Sequence, residues 1–314
     1  VFSIPLATYV TATNTSKSVH FLLEIVRECL PSSYRLFLLA GTTGCEKIKK
    51  KIRGNFLDER CTRLLRKVDS NLANTQVTFQ EISRELESQA DPEWKRKLIQ
   101  WYGQYREEPK LHGLPTPSIR KLSAKYFSKV KGGTKGEIFR LCEKLLASDY
   151  VEERTVAFDW AFRLRRFYEP LDFRVLESWL KKYVHGWGSC DDLCTHAFGA
   201  FVFQYPEFFL NVKEWTKSED RWIRRASAVV MIYSVRRRKH LERIFVIADA
   251  LLTDPDIMVQ KGYGWMLKEA SNRYSKEVFD YVMKHRMEMP RTSLRYAIEK
   301  FSPELRKEAM REET

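Results

Sequence analysis

The sequence predicts an all-α fold, a right-handed solenoid of stacked helix pairs with a concave basic groove. Three observations predict it. From Thr78 onward the chain reads as helical segments of roughly 12 to 20 residues broken by Pro, Gly or Asp, with very little strand-like alternation. A short pattern returns at a nearly fixed interval. Finally, 55 Lys and Arg stand against 41 Asp and Glu, a formal charge of +14, which favours polyanionic partners. Apolar residues make up 44% and aromatics 13%, enough to bury a sizeable core.

Residues 1–76 read as an N-terminal extension of unknown structure, and 77–314 as the domain that carries the fold. Val1 to Thr15 is β-branched without clean alternation, and Ser18 to Leu30 has only a weak helical stripe. Gly41-Thr42-Thr43-Gly44 is read as a turn: its spacing to Lys47 is short for a phosphate loop, and no Ser or Thr follows that lysine. Lys47 to Arg53 is basic and precedes a helix over Leu57 to Val68; it is a solvated face or a nucleic-acid tail. Thr78-Phe79-Gln80-Glu81 is a capping box that starts the first helix of the domain. Gly113-Leu114-Pro115-Thr116-Pro117 is a rigid turn, and Pro117 suits the first turn of a helix running to about Tyr126.

Three segments then align without gaps, starting at Asp149, Asp220 and Asp256. Each has a basic residue at its sixth position (Arg154, Arg225, Lys261) and a small one at its ninth (Ala157, Ala228, Gly264). A fourth copy from Gly186 places Asp191 and Cys194 in the same register. The sixth positions, 154, 191, 225 and 261, are 37, 34 and 36 apart, a period that suits HEAT-like or tetratricopeptide-like helix pairs. In such a stack equivalent positions form a row on one surface. The leading aspartates are natural N-caps, and the small ninth positions let adjacent helices approach.

Arg154, Arg225 and Lys261, with Arg224 beside them, make a basic stripe that can follow the phosphates of a nucleic acid; Arg163, Arg165, Arg166 and the run Arg236 to Lys239 add charge nearby. Asp191 interrupts the stripe. Two readings stand for it: an internal salt bridge to a neighbouring arginine, or a catalytic carboxylate. Trp187, four residues before it, and Trp222, at the entrance of the next repeat, can wall a small cationic site, whereas Trp160, Trp179, Trp215 and Trp265 are assigned to the core.

Cys29, Cys45, Cys61, Cys142, Cys190 and Cys194 show no C-x-x-C pair, so they are read as reduced, and no metal or other cofactor is assigned. No apolar run reaches transmembrane length and no secretory signal opens the chain; a soluble cytoplasmic monomer without membrane association is expected.

Taken in order, Tyr102-Gly103, Gly113 to Arg120, Trp187 to Cys194, Trp222 to Ala226 and Lys261 to Glu269 resemble the AlkD-like DNA alkylation-repair glycosylases, built of HEAT-like helix pairs, over roughly residues 78 to 305. The resemblance implies a partner, duplex DNA with alkylated bases, and a monofunctional excision of N3- or N7-alkylated purines. It places the catalytic roles on Asp191, Trp187 and Trp222 and a duplex-contacting role on Arg225. It also implies a lesion left largely stacked in an open groove, where glycosylases usually flip the base. Gly188 stands where typical members carry a second acidic residue, which bears on rate more than on binding. The competing readings are a HEAT-like module that recognises damaged or branched DNA without chemistry, and a protein-protein scaffold.

Overall fold

The computed structural model describes residues 79–104 and 108–311. The features read in residues 1–78, including Cys29, Cys45, Cys61 and the Thr78 half of the capping box, lie outside the described residues. Phe79–Thr314 forms one compact unit. Among the described residues every regular element is helical; a single isolated bridge joins Lys110 and Tyr150.

The helices in order are α1 (79–88), α2 (Pro92–Gly103), α3 (Thr116–Val130), α4 (Lys135–Ala147), α5 (Val151–Arg163), α6 (Asp172–Tyr183) and α7 (Trp187–Leu193). α7 runs through a π-helical turn, Cys194–Phe198, into α8 (Gly199–Gln204). There follow α9 (Phe209–Glu214), α10 (Arg221–Val229), α11 (Ile232–Val235), α12 (Leu241–Ala250), α13 (Ile257–Ser271), α14 (Ser275–His285), α15 (Arg291–Ala297) and α16 (Pro303–Ala309). They stack in two rows. In the front row α5 packs between α3 and α7, α10 between α7 and α13, and α13 against α15. Behind it α4 packs on α5, α6 on α7, α12 on α10 and α13, and α14 on α13.

Local chemistry sets the boundaries. Asp91 accepts the amides of Glu93 and Trp94 to start α2, and a reciprocal capping box between Thr134 and Glu137 starts α4. The turn before α3 needs Gly113, at φ +107, where a Cβ would stand 2.6 Å from that of Lys95. The buried Glu152 carboxylate holds this turn from α5 by accepting the amides of His112 (3.0 Å), Gly113 (2.7 Å) and Leu114 (3.1 Å). α3 runs one turn beyond the predicted Tyr126, where Lys125 and Lys129 pair with Glu85 and Glu81 of α1.

The repeat behaves largely as its spacing predicts. Asp220 caps Trp222 (2.7 Å), and Asp256 caps Met258 (2.7 Å) and Val259 (3.4 Å). Asp149 departs from the pattern: it takes φ +65, Tyr150 becomes the N-cap, and its carboxylate turns to Arg154 instead. Ala157, Cys194 and Ala228 are wholly buried between helices. At Gly264 a Cβ would lie 2.7 Å from that of Tyr296 and 2.8 Å from the Ser293 carbonyl. Trp160, Trp179, Phe158, Phe198, Phe201 and Tyr263 fill the space between the rows, each contributing roughly 1.5 to 3 kcal/mol by leaving water.

Candidate functional site

Gly186 opens α7 in an extended conformation and sets Trp187, Asp191 and Asp192 in its first two turns. Asp191 points toward α10. Arg225 forks it, Nε donating to Oδ1 at 2.9 Å and Nη2 to Oδ2 at 3.0 Å, while Nη1 donates to the Met258 carbonyl. Both carboxyl oxygens accept from the fork, which is the geometry of a carboxylate. The arginine side chain is 6% exposed and the aspartate 20%. Burial lifts the Asp191 carboxyl above its ordinary range, against the pull of Arg225. Burial also works to lower the Arg225 guanidinium, but Asp191 more than offsets it and holds it charged. Gly262 on α13 makes room for the pair, since a Cβ there would meet Arg225 Cγ at 3.0 Å.

Asp192 faces the other way. It binds Arg120 of α3 and lies 3.3 Å from His196 Nδ1. Arg120 reaches Asp159 of α5 at 3.5 Å, and Asp159 also accepts from Arg163 (2.7 Å) and Ser123 (2.5 Å). Where α7 passes into the π turn two side chains reach back to its carbonyls: Thr195 Oγ1 donates to Asp191 O at 2.7 Å, beside the Cys194 amide, and His196 Nδ1 lies 3.0 Å from Asp192 O. The Asp192 hydrogen bond raises the His196 pKa against a burial effect in the opposite direction.

Trp187 is half-buried. Its ring stacks on Tyr102 (5.7 Å, 27°) and meets Trp101 edge-on (4.8 Å, 69°), so the end of α2 is part of the site. Trp101 is 44% exposed. Beside them, a Cβ on Gly188 would stand 3.1 Å from the Tyr102 hydroxyl, so the phenol occupies the space a side chain at 188 would enter. Trp222 is only 6% exposed, with the Arg221 guanidinium 4.6 Å over its ring.

The predicted basic stripe is brought together but turns inward. Arg154 is buried and binds Asp149 Oδ1 at 2.6 Å; burial lowers its pKa. Arg224 binds Asp254 at 2.7 Å and donates to the carbonyls of Ser218 (2.8 Å) and Glu219 (2.9 Å), tying down the loop before α10. Lys261 is half-buried on α13. One turn later stands Trp265, which the sequence assigns to the core; it is half-buried, with its indole N–H on Glu269 at 2.9 Å. Trp160, Trp179 and Trp215 are core residues.

Sequence reasoning gives Arg120, Asp192, His196 and Tyr102 no site role, although Tyr102, Arg120 and Asp192 stand in the motifs that carry the resemblance. The doublet Asp191-Asp192 is a further signal, because adjacent residues on a helix point to different neighbours. Cys142, Cys190 and Cys194 are buried free thiols. Among the described residues no cluster has the makings of a metal site, and no helix is long and apolar enough to cross a membrane.

The family model described as DNA alkylation repair enzyme matches residues 82–301. A solved structure described as a predicted DNA alkylation repair enzyme from Enterococcus faecalis is similar at 17% identity and a TM-score of 0.60, covering 68% of this chain and 98% of that one. AlkD2 from Streptococcus mutans is similar at 19% identity and a TM-score of 0.50, covering 72% and 99%. At these identities the likeness is one of fold. No curated protein matches the sequence.

Proposed function

This chain belongs to the DNA alkylation repair enzyme family, and on that footing we propose that it excises cationic N3- or N7-alkylated purines from duplex DNA. The observation that carries the reading is Asp191: a carboxylate one-fifth exposed, held in a two-pronged fork by Arg225, beside the half-buried ring of Trp187. An alkylated purine is already cationic and leaves as a neutral base, so its departure needs no general acid. The barrier lies in positive charge growing on the deoxyribose. A fixed carboxylate beside the sugar stabilises that charge and orients the attacking water. Arg225 is a positioning residue that keeps Asp191 aimed. Trp187 packs on the sugar and adds cation-π stabilisation. Trp222 supports the wall from behind, its ring being covered. A site on an open helix face suits a lesion that stays in the stack.

A second reading, binding without chemistry, is favoured by the same fork: Arg225 neutralises Asp191, and Gly188 brings no further acid. Base release from a duplex bearing 7-methylguanine or 3-methyladenine separates the two. We expect release by the wild type and loss of at least about a hundredfold in Asp191→Asn, the scale of losing an electrostatic stabiliser. Absence of release from both, with duplex binding intact, would leave the second reading.

A further inference from the structure

The opposite edge of the front row, where its helices end, carries a regular arrangement that neither the repeat nor Asp191 uses. Helix after helix presents an aromatic ring there with a cation over it. Arg163 lies 5.4 Å from the centre of Phe127, Arg165 4.3 Å from Phe162, and Arg237 3.4 Å from Tyr233 and 5.8 Å from Phe203. Arg236 lies 6.0 Å from Trp265 and Lys268 5.6 Å from Tyr296. The series is continuous from α3 to α15: Phe162 touches Tyr233 (6.3 Å), Tyr233 touches Phe203 (5.7 Å), and Arg236 forks Glu269 of α13 at 2.9 Å.

Charge along this edge is cancelled only in part: Arg163, Arg236 and Lys268 pair with Asp159, Glu269 and Glu299. Among the described residues Arg165, Arg166, Arg237, Arg238, Lys239 and Arg273 form no ion pair, whereas Arg154, Arg224 and Arg225 each hold a carboxylate. Arg165 and Arg237 donate one nitrogen to a helix carbonyl, of Phe162 (3.0 Å) and Tyr233 (2.9 Å), which leaves the rest of each guanidinium free. Cations at helix ends also offset the macrodipole. One per end suffices for that, and the turn after α11 carries four, all exposed. A ring beneath a guanidinium fixes its plane and leaves its N–H edge to face an anion.

We propose that this edge, and not the row of sixth positions, is the track that holds the phosphates of duplex DNA. The proposal rests on DNA being the partner, as in the preceding section, but not on any excision. Its test is the salt dependence of binding to an undamaged duplex oligonucleotide. Each phosphate contact contributes about 0.9 to the slope of log K against log salt. The triple variant Arg165→Gln, Arg237→Gln, Arg273→Gln should flatten the slope by about 2 to 3. The equal charge loss Lys144→Gln, Lys213→Gln, Lys284→Gln, on exposed back-row positions, should leave it unchanged. Arg237→Lys keeps the charge and loses the planar stack, so it should keep the slope and weaken binding severalfold; it also serves should the triple variant not fold. Equal slopes for the two triple variants, or an Arg237→Lys protein indistinguishable from wild type, would overturn the track. A wild type without salt-dependent binding removes the DNA partner itself, and flattening in a protein that releases no base removes excision alone.

Discussion

Arg225, in the middle of α10, is 5% exposed and grips a carboxylate; Arg237, just past α11, is exposed and lies flat on a tyrosine ring. The two belong to one stretch of chain and read alike in the sequence, as basic residues near a predicted groove. What separates them is depth along the helix. Arg225 stands in the middle of a front-row helix, where each repeat meets its neighbour. Such a contact excludes water, so a charge there has to be paired. Arg237 recurs too, with Arg273 and Arg165 at multiples of the same period, but it sits where the helix has ended, water has access and it holds no carboxylate. Basic residues inside the helices thus hold the stack together, and those past the helix ends are left for a ligand.

The strongest way to break this contrast is to remove Arg225. In Arg225→Ala the Asp191 carboxylate and the Met258 carbonyl lose their partner, and stability should fall by about 3 to 5 kcal/mol. Denaturant unfolding measures it; a loss below about 1 kcal/mol would mean that the row is not an internal contact. Gly264→Ala sharpens the contrast from the ninth position. Its methyl would meet the backbone of α15, and overpacking of this kind should cost about 1 to 3 kcal/mol, read as a lower Tm.

The smallest effect concerns His196, between the two edges. Its pKa is raised in the folded protein by Asp192, so its contribution to stability is full below the unfolded value of about 6.5 and is lost as pH rises through the higher folded value. Groups facing it are Asp192 on its own helix, Arg120 from α3 and the Phe162 ring from α5. Unfolding measured between about pH 6 and 8 should show stability declining with pH in the wild type and a flatter profile in His196→Gln. An unchanged profile would place the titration elsewhere.

The all-helical fold and its repeat were legible because periodicity, caps and small residues are local signals. Asp220, Asp256 and Gly264 do what their spacing implies. Asp149 does not, because Arg154 competes for the same carboxylate at 2.6 Å. The site was legible in part. Asp191 and Trp187 stand on one helix, four residues apart, so one stretch of sequence places both. Tyr102, Arg120 and His196 enter it from other repeats or through a π turn, and neither leaves a periodic trace. Trp222 and Trp265 differ in exposure for a similar reason: identical in sequence, they are separated by how Arg221 and Glu269 happen to cover them.

The edge-on contact between Trp101 and Trp187 gives the protein an optical handle. Four of its indoles, those of Trp160, Trp179, Trp215 and Trp222, are shielded from solvent and emit at short wavelength whatever is bound. Trp101 meets water over nearly half its surface and touches the ring beside the carboxylate. A ligand lying against Trp187 therefore dries or quenches that chromophore while the buried set stays constant, and the long-wavelength side of the emission becomes an occupancy signal that needs no label.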